Sequence, residues 1–209
     1  MPGAPIPNEQ ITGVVLAGGR GSRMDGVDKG LQLFNGVPLA LHALRRLRPQ
    51  VGQMMAIANR NLADYRRFDV PVWPDDDALP GFAGPLAGFL AGLSHCATPW
   101  LLTAPCDTPC FPSDLATRMA EAFMGGAAAG ARIAMATDGH HPQPVFCLLH
   151  HSLREDLRDF LRQGGRKVGA WAARHDAVRV PFGRPEDFAN INSRDELRAL
   201  EAGAALGIG

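Results

Sequence analysis

The chain has 209 residues, 21 Lys plus Arg against 21 Asp plus Glu, 46% apolar and 20% charged residues. That length suits one domain with a substantial core, and zero net charge provides no bulk field to draw it to nucleic acid or a membrane surface. No apolar run reaches the roughly 18 residues of a membrane-spanning helix, and the start, with Pro2, Pro5 and Pro7, has neither the basic nor the apolar region of a signal peptide. Cys96, Cys106, Cys110 and Cys147 are too few and too scattered for a disulfide framework, so a reducing cytoplasm is the expected compartment.

In chain order, Ile11–Leu16 reads as a strand buried on both faces. Pro38 to Arg48, with Leu39, Leu41, Leu44 and Leu47 at near-helical spacing, predicts a helix. Residues 53–58 and 70–73 read as strands. A loop from Asp75-Asp76-Asp77 to Gly84-Pro85 follows, then a helix over Leu86–His95. Its small residues, Ala87, Gly88, Ala91 and Gly92, permit close packing against a sheet or a ligand. Trp100–Ala104 is a buried strand, and Pro112-Ser113-Asp114 starts a helix that runs to about Met124. Residues 131–136 and 144–149 read as two strands joined by the turn Asp138-Gly139-His140-His141. Helices over 150–163 and 166–174 follow, broken at Gly164-Gly165. A strand over 178–181 and a capping-box helix from Ser193 to Glu201 complete the chain. Strands alternating with helices predict an α/β layered fold with a mostly parallel sheet.

The segment from Ile11 to Lys29 is the most informative. A strand runs into a loop holding Gly18, Gly19 and Gly21, with Arg23 and Lys29 at its far end. Glycines let backbone N–H groups turn toward a polyphosphate, and the two cations can neutralise its charge. The bland alternative is a surface turn with scattered basic residues. Lys29 and Lys167 are the only lysines among the 21 basic residues, so Lys29 marks a place where a compact ammonium is wanted rather than a planar fork. The loop is not G-x-G-x-x-G, since Gly19 to Met24 lacks the third glycine, and no Gly-Lys-Ser/Thr completes a P-loop.

Ligands of such sheets sit at the carboxyl ends of strands. Asp107, directly after a strand, can therefore stand beside the loop and hold Mg2+, which favours one or two carboxylates plus substrate phosphates. A turn or N-cap aspartate is the alternative. Cys106 and Cys110 lack zinc spacing. His140-His141 are better explained as a turn than as metal ligands.

Leu16-Ala17-Gly18-Gly19, Arg23-Met24, Asp28-Lys29-Gly30-Leu31, Asn35-Gly36-Val37-Pro38-Leu39 and Ala58-Asn59-Arg60 stand in order along the chain. Gly84-Pro85-Leu86-Ala87-Gly88, Pro105-Cys106-Asp107-Thr108-Pro109, Gly165-Arg166-Lys167-Val168 and Asn190-Ile191-Asn192 continue them. In these blocks the chain resembles the molybdenum cofactor guanylyltransferases, the MobA-like nucleotidyltransferases. The resemblance implies a three-layer Rossmann-like nucleotidyltransferase fold with a mostly parallel mixed sheet. Residues 1–209 would form a single domain, with nucleotide bound by its N-terminal half and pterin acceptor by its C-terminal half. It implies transfer of GMP from GTP to the terminal phosphate of molybdopterin, with release of pyrophosphate. Leu16, Ala17, Gly18 and Gly19 would contact GTP, Lys29 its phosphates, and Asn59 and Asp75 the nucleoside. Asp107, with Asn192, would hold Mg2+. Arg23, Lys29 and Asp107 would carry catalysis, and Arg166, Lys167 and Asn190 would meet the acceptor. Molybdenum-insertion proteins and molybdoenzyme chaperones are the implied protein partners. Asp25 departs from the family, which commonly has Gly there, and Asp76 competes with Asp75. A CTP-using or sugar-phosphate transferase, and a non-catalytic nucleotide-binding sensor or chaperone, are the rival readings.

Overall fold

Neighbouring residues along the central strands point to opposite faces of one sheet, and both faces are buried. Val14, Met55, Leu101, Met135 and Leu149 belong to one apolar cluster; Val15, Ala56, Leu102, Ala134 and Leu148 belong to the other. Two covered faces explain why these strands read as continuous apolar runs rather than alternating ones.

The structure, a computed structural model, describes residues 6–17, 28–75, 84–124, 130–191 and 196–198. Its elements are β1 (Ile11–Leu16), β2 (Leu33–Phe34), β3 (Val37–Pro38), α1 (Leu39–Leu47), β4 (Gln53–Ile57), α2 (Leu62–Tyr65), β5 (Val72–Trp73) and α3 (Pro85–His95). They continue with β6 (Trp100–Pro105), α4 (Leu115–Glu121), β7 (Ile133–Thr137), β8 (Pro142–His150), α5 (Arg154–Arg162), α6 (Val168–Ala173) and β9 (Val178–Pro181). The main sheet has the order β5-β4-β1-β6-β8-β7-β9, and within it, among the described strands, β8 alone runs antiparallel to its neighbours. Helices α3, α5 and α6 cover one face through Leu86, Leu90, Leu157, Leu161 and Trp171. Helices α1 and α4 cover the other through Leu44, Leu47, Leu115 and Met119. This is the expected three-layer, mostly parallel mixed sheet. No described helix is long and apolar enough to cross a membrane.

The small residues of α3 serve the sheet. A Cβ at Gly88 would stand 2.9 Å from Leu16, and one at Gly92 would stand 2.8 Å from Leu101, closer than side chains pack. Several boundaries differ from the sequence expectation. The helix expected from Arg166 begins at Val168, and the one expected to reach Met124 ends at Glu121. His150 closes β8, and a short 3-10 turn, His151–Leu153, precedes α5. Of the expected last helix, only residues 196–198 are described, and they are helical. The β2–β3 hairpin was not expected: Asn35 (φ 48°) and Gly36 (φ 74°) form its two-residue turn, the backbone that Asn-Gly favours.

Candidate functional site at the carboxyl edge of the sheet

Four parallel strands end level with one another. Leu16 lies beside Ile57 and Pro105, and Ile57 lies beside Trp73. The ladder continues one step further: Ala17 N–H donates to Ile57 (2.8 Å), Ala58 N–H to Trp73 (3.0 Å) and Cys106 N–H to Leu16 (3.1 Å). Ala17, Asn59, Asp75 and Asp107 therefore share one edge. The chain steps outward from β1 to β4 and β5, then returns to the other side of β1 as β6. That reversal of strand order is where ligands bind in open α/β sheets.

Across this switch point Lys29 Nζ donates to Asp107 Oδ2 at 2.6 Å. The two side chains are 25% and 23% exposed, so the pair is open enough for phosphate or a cation to replace either partner. Sequence reasoning gave these residues separate partners, a phosphate and a metal; the structure joins them to each other. On the far side of β1, Asn59 and Asp75 exchange two hydrogen bonds. Asn59 Nδ2 donates to Asp75 Oδ2 (2.7 Å), and Asp75 N–H donates to Asn59 Oδ1 (2.8 Å). This brings together the two residues expected near the nucleoside. Gly18, Gly19, Arg23 and Asn192, with Asp25 and Asp76, lie outside the described residues.

The Asp107 loop is held from behind. Ile191 N–H donates to the Asp107 carbonyl (2.8 Å), and the buried Thr108 hydroxyl donates to Asn190 Oδ1 (2.5 Å). Asn190 thus anchors the loop. Ile191 also packs with Phe34 and Leu39, so the C-terminal segment joins the hairpin to this edge. The Cys106 thiol is pushed up, first by burial and then by Asp107, so it remains a protonated, inert thiol.

Sequence reasoning quoted Asp28 in a motif but gave it no role. It is buried, and its carboxylate accepts from Tyr65 Oη (2.7 Å), Asn61 Nδ2 (2.9 Å) and Gly30 N–H (3.2 Å), with Arg60 Nε at 3.7 Å. Tyr65 is the single tyrosine of the chain, and that rarity was the available signal. A Cβ at Gly30 would run into the Tyr65 hydroxyl and stand 3.3 Å from both Ala17 and Ala40. Gly30→Ala is therefore expected to cost about 1–3 kcal/mol, read as a lower urea midpoint at unchanged slope. An unchanged midpoint would show that the contact relaxes freely.

In the second half of the chain, β8 ends at the opposite edge, where His150 pairs with Trp100. The α5–α6 corner carrying Arg166 and Lys167 then precedes β9, which enters from the opposite edge. Arg166 Nη1 donates to the carbonyls of Leu161 (2.8 Å) and Gly165 (2.6 Å), closing the end of α5. Lys167, exposed, is the residue before α6 and makes no ion pair with a described residue. Asp138 accepts from the N–H groups of His140 (2.8 Å) and His141 (2.7 Å), so the histidine pair belongs to a turn. Those two amides hold its carboxyl below the usual range.

Among the described residues no three His, Cys, Asp or Glu side chains cluster as a metal cage. One half-open carboxylate, Asp107, suits a hard cation that takes its other oxygens from phosphates and water.

A doubly wound sheet with a Lys–Asp pair at its switch point and a polar pair on the neighbouring strands is the arrangement of a nucleotidyltransferase. Residues 13–178 match the MobA-like NTP transferase domain. The chain is 58% identical over 204 residues to a molybdenum cofactor guanylyltransferase of Ralstonia nicotianae, covering 93% of this chain and 98% of that one. It is 57% identical over 210 residues to one of an Acidovorax species, covering 94% and 97%. The chain belongs to the MobA-like NTP transferase family. Its fold matches the molybdopterin-guanine dinucleotide biosynthesis protein A of Archaeoglobus fulgidus with a TM-score of 0.74 at 22% identity, over 93% and 99% of the two chains. It also matches a cytidylyltransferase of Leptospira borgpetersenii with a TM-score of 0.71 at 13% identity, over 95% and 87%. At such identities the likeness is one of fold.

Proposed function

We propose that this chain transfers GMP from GTP to the terminal phosphate of molybdopterin. The observation that carries the reading is near full-length similarity to relatives bearing the guanylyltransferase name. An acceptor phosphate oxygen forms a bond to the α-phosphorus of GTP, the α–β bond breaks, and pyrophosphate leaves. The acceptor is already anionic near neutral pH, so no base is required to activate it. Catalysis is then positioning and charge neutralisation.

Lys29 leaves Asp107 for the phosphates when nucleotide arrives, which costs little because both side chains are about a quarter exposed. Asp107, with Asn192, is the proposed holder of Mg2+, which when bound would draw charge off the reacting phosphates. Leu16, Ala17, Gly18 and Gly19 are the proposed GTP contacts, and Arg23 is a proposed catalytic cation. Asn59 and Asp75, already aligned by their mutual hydrogen bonds, take the nucleoside. Lys167, Arg166 and Asn190 are the proposed acceptor contacts; Arg166 also closes the end of α5, and Asn190 also ties down the Asp107 loop. We place the whole chain in one domain. The cytoplasm is the proposed compartment, in keeping with four free cysteines. Molybdenum-insertion proteins and molybdoenzyme chaperones are the proposed partners.

The test is incubation with GTP, Mg2+ and molybdopterin, followed by mass analysis. The guanine dinucleotide and equimolar pyrophosphate are expected, with both lost on EDTA addition and restored by excess Mg2+. Calorimetric titration compares GTP with CTP, since the fold is shared with a cytidylyltransferase. Tighter CTP binding and a cytosine dinucleotide would overturn the choice of base. Binding without any transfer would leave a nucleotide sensor.

A further inference from the structure

A buried carboxylate at this edge is bonded, among the described residues, to none of the positions proposed for substrate. Asp28 has a side chain only 5% exposed. Its Oδ1 accepts from Tyr65 Oη and Gly30 N–H, and its Oδ2 accepts from Asn61 Nδ2 and faces Arg60 Nε. Burying a carboxylate costs several kcal/mol unless its oxygens are met by donors and a counter-charge, and a short turn can be capped without a buried charge. Here the carboxylate caps a single 3-10 turn, Lys29–Leu31, whose first residue is Lys29.

Every partner of Asp28 restrains that turn. Gly30 N–H fixes its backbone from within. Tyr65, at the end of α2, is fully buried, and its phenol is pushed up, first by burial and then by Asp28, so it stays a donor. Arg60 and Asn61 belong to the loop that runs from the end of β4 into α2. The result is a lysine whose backbone is fixed by buried contacts while its ammonium crosses the switch point to Asp107 at 2.6 Å.

We propose that Asp28 is a positioning residue for Lys29, holding the Lys29–Leu31 turn against Tyr65, Asn61 and Arg60 so that the ammonium stands at the phosphate side of Asp107. The proposal rests on the reading of Lys29 given above. Its distinctive consequence is that Asp28 acts on turnover only through Lys29.

Steady-state kinetics with GTP, Mg2+ and molybdopterin test it in a double-mutant cycle. Asp28→Asn keeps the shape and loses the charge. It is expected to lower kcat about 10- to 100-fold, the effect of displacing a positioned group by an ångström, with KM for GTP changed less than about threefold. Lys29→Ala is expected to lower kcat further. In the Lys29→Ala background, Asp28→Asn should change kcat by less than about twofold. General structural damage would instead lower both backgrounds by the same factor, and that multiplicative result would overturn the proposal. So would wild-type kcat in Asp28→Asn. Tyr65→Phe, which deletes one hydroxyl, carries the same comparison if Asp28→Asn does not fold, with a smaller loss that again vanishes when Lys29 is absent. Wild-type turnover in Lys29→Ala would remove Lys29 from the reaction and overturn the site reading itself. A large loss there with none in Asp28→Asn would overturn the positioning role alone.

Discussion

Asp107→Ala lowers turnover by about 10²–10⁴-fold while leaving thermal stability within about 1 kcal/mol of wild type. The two halves of this expectation have separate causes. Asp107 lies two residues beyond the end of β6, and its carboxylate is the proposed oxygen ligand for the cation that offsets phosphate charge. Removing it leaves the reacting phosphates without that counter-charge. The stability side follows from exposure: among the described residues Lys29 is the side-chain partner of Asp107, and both groups are about a quarter exposed. A partly open ion pair of this kind contributes little to folding, and the Lys29 ammonium is accessible enough to be hydrated when Asp107 is removed. The backbone bond from Ile191 to the Asp107 carbonyl does not involve the substituted atoms, so the loop keeps its anchor. Product formation by mass analysis alongside a thermal melt decides the matter. Unchanged turnover removes Asp107 from the mechanism, and a collapsed melt shows the loop to be a folding element instead.

Lys29→Arg is the sharper test, because charge is retained. A guanidinium is planar and offers paired donors that match a carboxylate in bidentate fashion, whereas an ammonium is a compact point charge. Opposite Asp107, an arginine would take both carboxylate oxygens and hold them, competing with phosphate and cation alike. The fixed Lys29–Leu31 turn gives the larger head group little room to retreat, since Gly30 is packed against Tyr65, Ala17 and Ala40. The expected outcome is a fall in kcat of about 10- to 100-fold with an unchanged or slightly raised melting midpoint. Wild-type kinetics would show that one of two surviving lysines stands here by accident of composition.

Much of this edge was legible in advance, and for local reasons. Ile11–Leu16 and Trp100–Pro105 are short apolar runs bounded by loop residues, which only a strand buried on both faces satisfies. Placing Leu16 and Asp107 at strand ends in a parallel sheet was enough to bring Lys29 and Asp107 to one edge. The hairpin at Asn35-Gly36 carried an equally local signal in its dipeptide, but two-residue strands are too short to show a period. The helix expected from Arg166 starts at Val168 because Arg166 is spent on the carbonyls that close α5. That use depends on where the preceding helix stops.

Residue order and side-chain type alone were sufficient for the layered α/β architecture, for the edge where ligands gather, and for the nomination of Lys29 and Asp107. These depend on local periodicity and on the rule that parallel strands end together. Pairings between residues far apart in the chain had no such signal. That Lys29 meets Asp107, that Asn59 meets Asp75, that Thr108 is tied to Asn190, and that Asp28 is enclosed by Tyr65 and Asn61 became visible only in three dimensions. Hydrogen bonds act over about 3 Å, and which groups come that close is settled by how helices seat on the sheet.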